Sequence, residues 1–166
     1  KGTMECGSSI FCPTTYSYTL EMFVYIDSWA EGATILSKES ADGTKGFALR
    51  LGAEADKVLD VTVNGHHYRA LNKIETGKWT HIALWPNANP RDARTNVYFC
   101  IDGTIQYAST KNSDKELVSL PAGAEDEILT VGKDFIGKID EFCVWSTSLT
   151  TDQVKNHIAK GPSMPG

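Results

Sequence analysis

The sequence predicts an all-β fold, a two-sheet antiparallel sandwich with a short C-terminal helix. Three observations predict it. Apolar and polar residues alternate with a period of two through most of the chain, the pattern of strands that bury one face. Asn64-Gly65 and Asp102-Gly103 sit between alternating segments, and such pairs favour tight hairpins because both residues tolerate positive φ. A helical pattern is confined to the C-terminal end. At 166 residues, with 41% hydrophobic and 22% charged positions, a single domain over residues 1–166 can bury a full core.

The first predicted strand covers residues 18–26, rich in β-branched and aromatic side chains and closed by Asp27-Ser28. A short one follows at residues 35–38, then a polar loop, then residues 46–51, where Phe47, Leu49 and Leu51 share a face. Residues 58–63 run into Asn64-Gly65, which makes residues 66–71 the return strand. Residues 79–85 alternate up to Pro86. Residues 96–101 and 104–108 form a second hairpin about Asp102-Gly103, and residues 109–127 are polar enough to read as loop. Residues 128–132 and 139–145 complete at least nine strand candidates with turns at short intervals, which fits a sandwich and not an α/β fold. Finally, Thr150 followed by Gln153 is a capping box, and Leu149 with Val154 occupies the positions of a hydrophobic staple. Gly161-Pro162 stops this short helix, which is expected to lie as a lid on the sandwich.

Charge and composition exclude several classes. A net charge of −5 without a basic stripe argues against a nucleic-acid partner. No apolar run reaches the roughly 18 residues of a membrane span. The chain begins Lys1-Gly2-Thr3 without an apolar signal core, so any export signal or anchor is expected to have been removed or to lie upstream. Cys6, Cys12, Cys100 and Cys143 lack zinc-knuckle spacing. Cys6 and Cys12 could close a small loop, whereas Cys100 and Cys143 could bridge only if their strands are neighbours; otherwise these are buried thiols.

Five stretches in order resemble the laminin-G-like family of concanavalin-type jelly rolls, in the branch shared with bacterial multidomain surface proteins: residues 18–25, 34–38, Gly77-Lys78-Trp79-Thr80-His81-Ile82-Ala83, residues 97–103, and Gly137-Lys138-Ile139-Asp140-Glu141 through Trp145, Leu149 and Val154. The resemblance covers most of the chain and implies a jelly-roll sandwich. It also implies a secreted, periplasmic or cell-surface setting, a glycan or polysaccharide as ligand, and neighbouring domains of a parent protein. The C-terminal segment is similar to the end of pentraxins as well. No counterpart of their calcium-binding acidic cluster is found, so their mode of ligand recognition is not carried over.

Glucanases of this superfamily place catalytic carboxylates at the spacing E-x-D-x-x-E, which this sequence lacks. Glu125-Asp126-Glu127 reads as a solvated loop face, and the adjacent His66 and His67 point to opposite sides of a strand, so they cannot easily share one ion. His81 is expected to make a structural hydrogen bond. Asp140 shares the alternation of Phe142 and Val144, so it should lie on the core face, where a carboxylate must be paired. Two readings stay open for it: hydrogen bonds from the backbone of a neighbouring turn, or a structural calcium, as related β-glucanase folds hold near an Asp on the corresponding strand.

If Phe47, Leu49, Leu51, Leu59, Val61, Val63, Ile82, Leu84, Val97, Phe99 and Ile101 point inward, then Arg50, Asp60, Thr62, His81, Trp85, Tyr98 and Cys100 point outward. Were their strands adjacent in one sheet, Arg50, Asp60, Thr62, His81, Trp85 and Tyr98 would converge on one surface suited to a sugar, an aromatic platform flanked by planar polar groups. The expected function is a non-catalytic carbohydrate-binding or adhesion module. The alternatives are a structural or protein-docking domain without a small ligand and, more remotely, a divergent glycoside hydrolase.

Overall fold

A computed structural model describes residues 3–6, 18–89, 94–107, 109–110, 124 and 126–166. Its strands are β1 (Met4–Cys6), β2 (Thr19–Ile26), β3 (Thr34–Glu39), β4 (Gly46–Leu51), β5 (Leu59–Val63), β6 (His66–Arg69), β7 (Trp79–Asn89), β8 (Arg94–Ile101), β9 (Thr104–Tyr107), β10 (Ser109–Thr110), β11 (Leu129–Val131) and β12 (Gly137–Trp145), followed by α1 (Thr151–Lys160). They form a seven-stranded sheet in the order β1-β11-β3-β4-β5-β6-β10 and a five-stranded sheet in the order β12-β2-β7-β8-β9. The pairings are antiparallel, and the architecture is the jelly-roll sandwich that the alternation predicts.

Asn64 and Gly65 both have positive φ, 46° and 79°, as the predicted tight hairpin between β5 and β6 requires. Asp102 and Gly103 repeat this between β8 and β9, at 47° and 80°. Between the sheets lie Leu20, Met22, Val24, Phe47, Leu49, Leu51, Leu59, Val61, Val63, Ile82, Leu84, Val97, Phe99 and Ile101, every one buried. The apolar residues predicted to point inward from β4, β5, β7 and β8 all do so. Burial of such side chains drives the two layers together, each contributing about 1.5–3 kcal/mol relative to exposure.

Three local readings change. Pro86 does not end β7, which continues to Asn89; β2 pairs with β7 from Trp79 to Leu84, and beyond that point β7 pairs on one side only among the described residues, where a missing N–H is tolerated. Ser109 and Thr110 form β10 against β6 instead of opening a loop. Cys100 and Cys143 stand on β8 and β12, with β2 and β7 between them, so the strands are not neighbours and no bridge joins them. Cys6, Cys100 and Cys143 are free thiols, while Cys12 lies outside the described residues, as does Glu125 of the acidic run.

Among the described residues no helix is long and apolar enough to cross a membrane. The predicted capping box is present: the Thr150 hydroxyl accepts from the Gln153 N–H, and the Gln153 side chain accepts from the Thr150 N–H. Through Val154 and Leu149 the helix packs on Ala83 and Cys100, the outward residues of β7 and β8, with Trp85, Trp145 and Ile158 at the margin. It is a lid over the five-stranded sheet.

Candidate functional site

The predicted outward residues do not gather on one surface. Arg50 and the pair Asp60 and Thr62 stand on β4 and β5 in the seven-stranded sheet, whereas His81, Trp85 and Tyr98 stand on β7 and β8 in the five-stranded sheet. Because each set points away from the core, the two face opposite sides of the molecule. The chain changes sheets between β6 and β7, a step that alternation along single strands does not reveal.

On the seven-stranded face the polar groups are occupied with one another. Arg50 is ion-paired with Glu39. Arg69 reaches Asp56 at 2.8 Å and Asp60 at 3.2 Å, and Thr62 Oγ1 lies 3.3 Å from His67 Nδ1. This is a self-satisfied ladder of charges and hydroxyls, half-open to solvent.

The five-stranded face is built differently. Trp85 and Tyr98, cross-strand partners on β7 and β8, stack at 6.1 Å between centroids with planes 20° apart, and both are half-buried. Beside α1 a cleft of about 360 Å³ opens, lined by Glu21, Phe23, His81, Glu141, Cys143, Trp145, His157 and the segment from Lys160 to Ser163. Its floor comes from the outward residues of β2, β7 and β12, and its wall from the end of α1 and the chain beyond it.

Glu21 organises this cleft. It is only 4% exposed, and its Oε1 accepts the Trp145 indole N–H at 3.0 Å and meets His157 Nδ1 at 2.7 Å. Its Oε2 lies 3.6 Å from His81 Nε2 and has no hydrogen-bond partner. Burial pushes the Glu21 carboxyl up, but its close contacts with His81 and His157 and the hydrogen bond from Trp145 outweigh it and hold the group below its ordinary value, so it is ionised at neutral pH. The His157 ring stacks on Trp145 at 5.4 Å, and the Phe23 ring meets His81 edge-on at 4.8 Å. His81 itself is 1% exposed; its backbone N–H donates to Asp102 at 2.8 Å, while Nδ1 of its ring has no partner.

Asp140 is not on the core face. β12 carries a bulge between Asp140 and Cys143, with Glu141 at φ 50°, and the extra residue lets Phe142 pack on the core while Asp140, opposite Phe23, points outward. Its carboxylate accepts from the Met164 N–H at 2.8 Å, the Ser163 hydroxyl at 2.9 Å and the Glu141 N–H at 2.9 Å. These donors, the Met164 N–H first, hold the Asp140 carboxyl below its ordinary range. Asp140 thereby fastens the segment after α1, which walls the cleft, and Lys138 adds a bond to the Pro165 carbonyl at 3.1 Å. Among the described residues no group of three or more His, Cys, Asp or Glu is gathered as a metal ion would require.

Sequence reasoning did not single out Glu21, Trp145 or His157. The available signal was Glu21 itself, an acid inside an apolar strand at an outward position; its partner Trp145 is 124 residues away, so their meeting is a product of topology.

A family model described as the concanavalin A-like lectin/glucanases superfamily matches residues 4–155. No curated protein matches the sequence. Among solved structures, the chain is similar to a candidate carbohydrate-binding protein of Bacteroides ovatus, with 24% identity and a TM-score of 0.62 over 84% of this chain and 40% of that one. It therefore spans well under half of that protein. Domain 4 of AbnA, an extracellular GH43 arabinanase of Geobacillus stearothermophilus solved with arabinotriose, aligns at 17% identity and a TM-score of 0.61 over 93% and 71% of the two chains. A heptameric SAP-like pentraxin of Limulus polyphemus aligns at 15% identity and 0.59, over 90% and 73%.

Proposed function

The chain belongs to the concanavalin A-like lectin/glucanase superfamily, and from that premise we propose that it is a non-catalytic carbohydrate-binding module of an extracytoplasmic protein, binding glycan on the outer face of its five-stranded sheet. One observation carries the reading. A buried carboxylate with an unshared oxygen lies in a cleft beside the rings of Phe23 and Trp145. Sugars present hydroxyl donors in the ring plane and apolar C–H faces above it, so they match acceptors set beside aromatic side chains. The Trp85–Tyr98 stack on the same face offers a second apolar platform. The arabinotriose complex of a domain with this fold supports the same reading.

Glycoside hydrolysis needs one carboxylic acid and one carboxylate flanking the bond. Glu21 and Glu141 both line the cleft, but Glu21 is held ionised and tied to Trp145 and His157, which suits an acceptor and not a proton donor.

The test is a glycan array followed by titration calorimetry, with wild type and Trp145→Ala. At least one glycan class is expected to bind and to remain uncleaved on prolonged incubation, with affinity at least about tenfold lower in the variant. Wild type that binds no glycan of any class would sink the proposal and leave a protein-docking domain. Release of shortened sugars would replace it with a hydrolase.

A further inference from the structure

We propose that this cleft selects glycans that offer a hydrogen-bond donor to Glu21, neutral sugars and protonated amino sugars, and rejects those that bring a carboxylate or sulfate to the same place. The inference rests on the glycan-binding reading and adds the chemical class of ligand.

Its basis is the unused valence of Glu21 at the cleft floor. Glu21 Oε1 accepts from Trp145 and lies 2.7 Å from His157 Nδ1, while Oε2, nine-tenths buried with the rest of the side chain, has His81 Nε2 at 3.6 Å as its near neighbour and accepts no hydrogen bond. An ionised carboxylate can only accept, and leaving one oxygen bare in a desolvated site is costly. A ligand hydroxyl removes that cost, and a ligand ammonium does so with charge assistance. Nδ1 of the His81 ring is also buried without a partner. The free oxygen of Glu21 therefore asks for a donor.

The charges around it point the same way. Glu141 lines the cleft beside Glu21, and Cys143 between them reads their field: burial first, then the negative charges of Glu21 and Glu141, push its thiol up. The lysine that lines the cleft, Lys160, is exposed at the end of α1 where solvent screens it. An anionic sugar would meet the buried charge of Glu21 at close range, with Lys160 as a screened counter-charge at the exposed side of the cleft.

The experiment uses matched glycans. For whichever neutral glycan wild type binds, the C6-oxidised uronate and the 2-amino-2-deoxy counterpart are titrated in parallel, against wild type, Glu21→Gln and Glu141→Gln. The uronate is expected to bind wild type at least tenfold more weakly than the neutral form. The amino form should bind at least as well, and Glu21→Gln should bring all three within about threefold. The Trp145 indole N–H resonance confirms that the cleft is intact in each variant, and Glu141→Gln, at an exposed position, keeps the question answerable if Glu21→Gln misfolds, since it should narrow the gap partway. Uronate binding equal to or tighter than neutral overturns this inference alone, as does discrimination that persists undiminished in both variants. Failure to bind any glycan removes the broader reading, and this one with it.

Discussion

Glu21 carries its charge where charge is costly, and three neighbours make that tolerable. Its folded-state pKa lies below the ordinary value of 4.5, with burial opposing and the His81, His157 and Trp145 contacts prevailing. A depressed carboxyl pKa contributes stability that is fully present above the unfolded value and is lost as pH falls through the folded one. Wild type should therefore lose more stability than Glu21→Gln when urea unfolding is followed from about pH 7 down to about pH 3, while at neutral pH the variant should be weaker by about 1–3 kcal/mol for the hydrogen bonds made to a charged group. Parallel stability curves for the two proteins would show that the carboxylate is not held by these contacts. Asp140 teaches a different lesson at the same scale. Alternation placed it on the core face with Phe142, and one bulged residue, Glu141, reversed it, because periodicity counts residues and a bulge inserts one that has no partner across the ladder.

Among the elements, α1 was the most legible, because its signals are local. Thr150 and Gln153 are three residues apart, and the bonds between them depend on nothing else in the fold. What the helix covers was not legible, since Ala83 and Cys100 come from strands far away in sequence. β7 shows the converse, for Pro86 read locally is a strand end, yet the one-sided pairing there accommodates it. Cys100, fully buried under α1, makes the helix's stability measurable. Thr150→Ala removes the cap at a cost of about 1 kcal/mol, so local opening of α1 should become about fivefold more frequent. In a background with Cys6, Cys12 and Cys143 changed to Ser, the thiol-labelling rate of Cys100 should rise by that factor under native conditions. A rate unchanged by the substitution would mean that Cys100 is reached only by global unfolding and that α1 does not open alone.

At the scale of the molecule, alternation disclosed which side of β4, β5, β7 and β8 is buried but not which sheet each strand joins. Phe47, Val61, Ile82 and Phe99 all face the same core, from two different layers, and a period of two cannot separate those layers. That is why Arg50, Asp60 and Thr62 were grouped with His81, Trp85 and Tyr98, and why the grouping came apart. The separation has a measurable consequence. With the thickness of the sandwich between them, the described residues of the two outer faces share no side-chain partners, and changes on one should not couple to events on the other. Arg50→Ala and Asp60→Ala break partly buried ion pairs with Glu39 and Arg69, so each should lower stability by about 1–3 kcal/mol and leave glycan affinity within about twofold of wild type. Trp85→Ala, on the five-stranded face, removes half of the stack with Tyr98 and should weaken binding at least about fivefold. Calorimetry on the three variants distinguishes the faces directly: affinity lost on Arg50→Ala and Asp60→Ala but kept on Trp85→Ala would move the ligand to the seven-stranded sheet, where the ladder around Arg69 would then have to open to admit it.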